Sequence, residues 1–392
     1  MAEEKKEQEA NGQEMPAVEA SVSGETAAKQ HRTISKQLRS NLITYGIVIV
    51  FYIVIMIMDA TGVLTNSLSG QLVPICTYVC AALSLNLVVG ISGELSLGHA
   101  GFMSVGAFSS VVASTALSGV LSGVPLLLVS MLIGGLFAAL AGLIVGIPVM
   151  RLHGDYLAIV TLAFGEIIKN VINNLYVGVD SSGIHFSMTD SASLNLAEGG
   201  TVVINGPRGA TGIDRISTFT VGIVLVLITL TIVLNLVHSR TGRAIMAVRD
   251  NRIAAESVGV NSTKYRLIAF VVAAALAGMA GAFYAHGYTS VTATKFNFNT
   301  SIYILVYVVL GGIGSMRGSI IAAAFLTVLP EMLRAVNEWR MLVYSIVLIA
   351  VMLLTNSATG KSIIAHVKNF FLRIWAKITR KSTEEEVVAD AD

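Results

Sequence analysis

Apolar runs dominate this chain and recur at a nearly constant length. They fall at about 42–58, 72–89, 95–117, 124–147, 155–176, 218–238, 266–286, 301–316, 318–335 and 341–356, and a helix that crosses a bilayer needs roughly 20 such residues. The pattern predicts an all-α polytopic membrane protein, a bundle of about ten transmembrane helices. The 301–335 pair is tight enough that one of its two pieces is a candidate for a re-entrant segment. Within single spans, small residues keep to one helix face. Gly134, Ala138, Gly142 and Gly146 recur every fourth position, and Ala274 with Gly278 and Ala277 with Gly281 repeat the spacing. Such ladders let backbones approach closely where no hydrophobic effect drives helices together, so they predict packing inside one bundle.

The polar stretches between the runs are as informative. Arg240 to Arg266 reads RTGRAIMAVRDNRIAAESVGVNSTKYR. It is too polar to cross a bilayer and too periodic to be a linker. Ile245, Val248, Ile253 and Val258 fall near helical spacing among Arg243, Arg249, Arg252 and Glu256, and Gly259 supplies a stop. The spacing predicts a short amphipathic helix outside the membrane. Residues 177–217 form a longer connection than is usual and contain the strand-like piece TVVING.

Composition agrees with the pattern. Hydrophobic residues make up 54% of the 392 and charged residues 13%, against about 25% charged in a soluble domain. Lys29, Arg32, Lys36 and Arg39 precede the first run, so the positive-inside rule places the N-terminus in the cytoplasm. Alternating crossings then put Arg151, the 240–265 loop, Arg317 and the C-terminal tail on the same side, and the acid-leaning 177–217 loop outside. The predicted organisation is a disordered cytoplasmic tail at 1–37, a membrane domain at 38–358, a basic interfacial helix at 359–381 and an acidic disordered tail at 382–392. The N-terminal residues are acidic and polar, unlike a cleaved leader, so the first run is expected to stay as an anchor.

Catalytic chemistry finds no support in the residues. Cys76 and Cys80 stand one helical turn apart in a span, with no His or acid nearby to complete a metal set. Gly360, Lys361 and Ser362 resemble the end of a phosphate-binding loop, but Thr355 occupies the required glycine's place. Gly311, Gly312, Gly314 and Gly318 miss the dinucleotide spacing. No metal, no resident cofactor, no catalytic residue and no nucleic-acid partner is expected.

Polar residues inside the runs are the candidates for a path. Glu166 and Lys169 sit three apart on one helix, near mid-membrane, where an ionisable group faces a partner or a cavity. Mutual pairing and contact with a cargo are both open. Asn86, Ser92, Glu94, Ser96, His99 and Ser104 lie in and around GISGELSLGHAGF, whose glycines predict a broken helix, tolerated only where it lines protein or water. Ser96, His99, Glu166, Gly311, Gly312 and Gly314 are the candidate path or gate positions.

Four blocks carry a family resemblance: GISGELSLGHAGFMSVGAF (90–108), RLHGDYLAIVTLAFGEIIKN (151–170), the segment from Arg240 to Ala285, and VVLGGIGSMRGSIIAA (308–323). In order and spacing the chain resembles the branched-chain amino acid ABC transporter permeases of the LivM type, from about Tyr78 to Thr355. The resemblance implies a multi-pass permease of the bacterial inner membrane, itself not an enzyme, importing leucine, isoleucine or valine. Its implied partners are a homologous LivH-like second permease, two ABC ATPase subunits that carry the ATP and magnesium, an external substrate-binding protein and membrane lipid. It also implies a coupling helix with an EAA-xxx-G pattern. Ala254, Ala255 and Gly259 fit that pattern, Ile253 replaces its acidic first position, and Arg249 and Arg252 are expected to meet acids on the ATPase. Three other readings stay open: an ion-coupled secondary transporter using Glu166, an ABC permease for urea or short amides, and a channel or membrane scaffold.

Overall fold

A computed structural model describes residues 41–333 except 64, 153 and 198, together with 339, 342, 343, 345, 346 and 349. The chain divides into two units, 1–64 and 65–392. In the first, helix α1 (Asn41–Ala60) is apolar around its whole circumference, as a span surrounded by lipid or by other helices must be.

The second unit holds the remaining elements. Its helices are α2 (Asn66–Asn86, continuing as a π-helical turn Leu87–Ser92), α3 (His99–Leu117), α4 (Gly123–Val149), α5 (Asp155–Asn173), α6 (Phe219–His238), α7 (Arg240–Asp250), α8 (Arg252–Ser257), α9 (Ser262–Ala285), α10 (Phe298–Gly311) and α11 (Met316–Met332). Seven helices of the described residues are long and apolar enough to span a membrane: α1 to α6 and α9. The count differs from the expected ten for two reasons. The 301–316 and 318–335 runs form shorter helices, about 21 and 26 Å at 1.5 Å per residue against a hydrocarbon core of ~30 Å. Most of the 341–356 run lies outside the described residues, as do both predicted tails, the 359–381 helix and the Gly360–Ser362 segment.

Helix α9 is the hub, packed against α4, α3 and α2. The two small-residue ladders meet each other here. A Cβ on Gly278 would lie 2.2 Å from the Cβ of Ala138, and one on Gly142 would lie 2.6 Å from the Cβ of Ala274. Without side chains at these positions the two backbones close to contact distance, as the periodicity predicts. Cys76 and Cys80 are buried in α2.

At one end of this bundle a five-stranded antiparallel sheet closes the structure in the order β2-β1-β3-β4-β5. Its strands are β1 (Tyr176–Asp180), β2 (Gly183–Ser187), β3 (Thr201–Asn205), β4 (Ala210–Thr211) and β5 (Ser290–Val291). The TVVING piece is β3, and β5 follows α9, so the long connection is tied to the hub helix rather than left loose. Asp180 organises the β1–β2 hairpin. One carboxylate oxygen accepts hydrogen bonds from Ser182 N (2.8 Å), Ser182 Oγ (2.6 Å) and Gly183 N (3.1 Å), and the other accepts from Ala197 N (3.0 Å).

At the opposite end, the Arg240–Arg266 stretch forms two helices where one was expected. The break is at Asn251, whose side chain accepts from Ala254 N (3.0 Å) and caps α8. Gly259 ends the pair with φ +86°, and Val260 N bonds back to Ala255 O, as its stop position predicts.

Candidate functional site

The site is built around the point where α2 stops being an α-helix. Leu87 to Ser92 form a wider π-helical turn, Gly93 takes a left-handed conformation (φ +74°), and residues up to Gly98 run without regular structure before α3 begins at His99. This is the broken helix expected from the glycines of GISGELSLGHAGF. Such π-turns arise where the ladder of main-chain bonds gives way, and they are frequent at functional positions.

Two other parts of the chain converge on that turn. Asn86, fully buried, accepts a hydrogen bond from Gly314 N (2.8 Å) and donates one to Ser319 Oγ (3.0 Å), which fixes the α10–α11 connection against α2. The approach is close enough to exclude a side chain: a Cβ on Gly90 would sit 2.1 Å from Asn86 Oδ1 and 2.4 Å from Gly314 N. Gly312 and Gly314 both hold positive φ and shape this turn. From the other side, Arg249 at the end of α7 donates from Nη1 to the Gly90 carbonyl (3.1 Å), while its Nε and Nη2 hold Asp250 Oδ1 at 2.9 and 2.8 Å. One guanidinium thereby joins the α7–α8 pair to the π-turn, and Asn86 joins the π-turn to Gly314.

A second tie lies just beyond. Arg266, in the first turn of α9, is 3% exposed and places Nε 2.5 Å from Glu94 Oε1. The Nε–H is not directed at that oxygen, so the contact is a charge pair and not a linear hydrogen bond. The two terminal nitrogens reach the carbonyls of Met150 and Leu152 at 3.3 and 3.4 Å, so a single side chain links the loop after the π-turn, the end of α4 and the start of α9.

The predicted site residues fall into three groups. Arg249, Gly311, Gly312 and Gly314 belong to the junction just described. Arg252 pairs with Glu256 (2.9 Å), and that carboxylate also accepts from Ser262 Oγ (2.5 Å), so both predicted arginines have partners within the chain. Ala255 is buried, whereas Ile253 and Val258 are 82% and 78% exposed and Ala254 lies beside them on the surface.

Ser96 and His99 are buried at the start of α3. His99 Nε2 lies 2.8 Å from Ser84 Oγ and its ring stands edge-on to Phe102. Ser92, Ser96 and Ser104 Oγ and His99 Nδ1 are buried without a partner, so the segment from 92 to 104 carries a run of unpaired polar atoms. Buried polar atoms of this kind take up water or a polar guest. Glu166 lies apart. It pairs with Lys169 and accepts from Phe298 N (3.1 Å), capping the start of α10. The space beside it, bounded by Leu97, Gly165 and Phe296, is about 10 Å³, at the lower limit for one water. Gly90 and Arg266 are junction residues that sequence reasoning did not select, and Asn86, noted among the polar residues around the broken helix, was not carried into the candidate path positions. Among the described residues, no group of three or more His, Cys, Asp or Glu is placed to hold a metal ion.

Comparison with known proteins places the chain in a family. Residues 67–365 match the family described as branched-chain amino acid transport system / permease component. The chain is 36% identical over 288 residues to the high-affinity branched-chain amino acid transport system permease protein LivM of Salmonella typhimurium, and equally to LivM of Escherichia coli. Each match covers 70% of this chain and 66% of the relative, so the chain spans just under two-thirds of those proteins' length. It is 26% identical over 270 residues to the permease protein BraD of Pseudomonas aeruginosa, covering 64% of this chain and 80% of that one. No solved structure matches. With three quarters of its length inside the family match and the broken helix, the 240–265 loop and the glycine turn all within it, the chain belongs to the branched-chain amino acid transport permease family.

Proposed function

We propose that this chain is a permease subunit of an ATP-driven ABC importer for leucine, isoleucine and valine, lying in the bacterial inner membrane with both termini cytoplasmic. It forms half of the translocation path with a homologous LivH-like permease. Of two ATPase subunits, which carry ATP and magnesium, one docks on α7–α8, and an external binding protein delivers cargo at the sheet end. In this reading α10, α11 and the apolar 341–356 run complete the crossings begun by the seven longer spans. Family membership and the names of the relatives support the substrate class.

The observation that carries the coupling role is the join between an exposed apolar surface and the π-turn. Ile253, Ala254 and Val258 present a small apolar knob to solvent, the kind of surface a partner groove covers. Directly behind it, Arg249 grips the Gly90 carbonyl. When ATP draws the two ATPases together, movement of α7–α8 reaches Gly90 through that guanidinium and the α10–α11 turn through Asn86, rocking the path alternately open to each side. Arg252 serves to hold α8 to α9 through Glu256. Ser96 and His99 lie along the broken segment, whose unpaired polar atoms suit a polar path. Glu166 acts as a helix cap and ion pair in this reading, with Lys169 and Phe298 N as its partners.

Reconstitution tests this. Vesicles holding the chain with its second permease, both ATPases and the binding protein should take up labelled leucine only when ATP and the binding protein are both supplied. Unlabelled isoleucine and valine should compete; urea and acetamide should not. Uptake by this chain alone, driven by a proton gradient and abolished in Glu166→Gln, would overturn the proposal.

A further inference from the structure

At the sheet end, the hub helix α9 stops at Ala285 beside an irregular strap, residues 213–217, that joins β4 to α6. The last turn of a helix leaves carbonyls without helical donors, and the strap supplies donors here. Ser217 Oγ donates to Phe283 O (2.8 Å) and Ser217 N to His286 O (3.2 Å), while Ile213 N donates to Thr289 O (3.1 Å) just before β5.

His286 sits in this joint, fully buried. Its ring Nδ1 lies 2.9 Å from Ala282 O. A carbonyl only accepts, so Nδ1 carries the proton and Nε2 of the neutral ring is a bare lone pair. That lone pair is buried with no hydrogen-bond partner, a cost that calls for an explanation, and the coupling route does not use it.

The surroundings favour the neutral ring. The strap brings Asp214 and Arg215, and the ring's own turn brings Tyr284 and Tyr288, with the Arg215 charge acting on Tyr288. Val73 of α2 packs against Gly287, Gly222 of α6 against Phe283, Met103 of α3 against Gly281 and Gly134 of α4 against Ala282. Among these four helices the titratable groups are Cys76, Tyr78 and Cys80 on α2, His99 on α3 and His238 at the far end of α6; α4 has none. Burial is the largest influence and holds the ring below the ordinary histidine value of 6.5, opposed by the Ala282 bond and the Asp214 charge. A histidine buried neutral stabilises its joint above the exposed value, about 6.5, and that stabilisation is lost as pH falls from there toward the lower buried value.

We propose that His286 is a proton-operated catch: acid on its side of the membrane delivers a proton from water to Nε2, and the charged ring leaves the joint, freeing the 213–217 strap from the end of α9. The catch stands on the joint itself and not on the importer reading. In the orientation proposed above, the acid it senses is external.

Hydrogen exchange on the full chain in lipid nanodiscs tests this. The amides of Ile213 and Ser217, corrected for intrinsic rates, should exchange at least about three-fold faster at about pH 5.5 than at about pH 7.5. His286→Gln, which keeps a side-chain donor but does not titrate, should abolish that acceleration. Asp214→Asn removes the carboxylate and keeps the ring, so the acceleration should persist. No acceleration in the wild type, acceleration that survives His286→Gln, or its loss in Asp214→Asn alone would overturn the proposal. Should Gln fail to hold the strap even at about pH 7.5, the unaltered chain decides: the ¹³C resonance of His286 Cε1 must titrate with a midpoint below about 6.5, with exchange levelling off there, and a midpoint at or above that value overturns the catch.

Discussion

Arg266 and Glu94, far apart in the sequence, form a buried ion pair at the base of the hub helix. The guanidinium also reaches two main-chain carbonyls at the end of α4. Removing one partner of a buried pair leaves a charge without compensation, which costs roughly 3–5 kcal/mol. Glu94→Gln should therefore lower the thermal unfolding midpoint of the purified permease, and the double variant Glu94→Gln, Arg266→Met should recover much of the loss. Equal damage in the double variant would mean that the pairing is not what stabilises this junction.

Gly90 sits where α2 and the Gly314 turn touch with no room for a methyl group. Gly90→Ala must push the turn off Asn86, at a cost of about 1–3 kcal/mol. If α2 and α10–α11 move together through this contact, as proposed, leucine uptake should fall at least about ten-fold even in vesicles with equal amounts of assembled complex. Unchanged uptake would remove Gly90 from the path of movement.

Acid should loosen the sheet at Asp180. Its carboxylate is enclosed by its own hairpin, 2% exposed in a surface loop, and the amides of Ala197 and Ser182 with the Ser182 hydroxyl and nearby His185 hold it well below the usual carboxylate range. A carboxyl depressed in the folded state adds stability at neutral pH and loses it as pH falls below its unfolded value, about 4, toward its folded one. Hydrogen exchange at Ser182, Gly183 and Ala197, corrected for intrinsic rates, should accelerate below about pH 4. Asp180→Asn should abolish that pH dependence.

Glu166 is the residue on which an ion-coupled mechanism would depend. It is occupied by Lys169 and by Phe298 N. Glu166→Gln keeps an acceptor for the α10 cap, so ATP-driven uptake should change by less than about three-fold and show no new dependence on external pH. A loss of ten-fold or more at unchanged complex content would return Glu166 to the path.

Much of the fold was written in local patterns. The ladder Gly134, Ala138, Gly142 and Gly146 and the pair Ala274 and Gly278 announce close crossings because a four-residue repeat of small side chains has few other uses in a membrane helix. What the repeat does not contain is the partner's identity, and α4 meeting α9 emerged only from the structure. Gly259 likewise signals a stop by itself, whereas the break at Asn251 depends on a cap that competes with a good helical pattern. Arg266 with Glu94 and Arg249 with Gly90 are pairings between distant segments, and no local spacing encodes them.

The coupling proposal turns on Arg249, which touches the exposed helix pair on one side and the π-turn on the other. ATP hydrolysis and leucine uptake should be followed in the same vesicles for the wild type and Arg249→Gln, with Ile253→Asp as a control for docking. Arg249→Gln should leave assembly and hydrolysis within about two-fold while uptake falls at least about ten-fold; Ile253→Asp should lose both with the ATPase contact. If Arg249→Gln transports at the wild-type ratio of leucine to ATP, movement does not pass from α7–α8 through Gly90, and the coupling route described here is wrong.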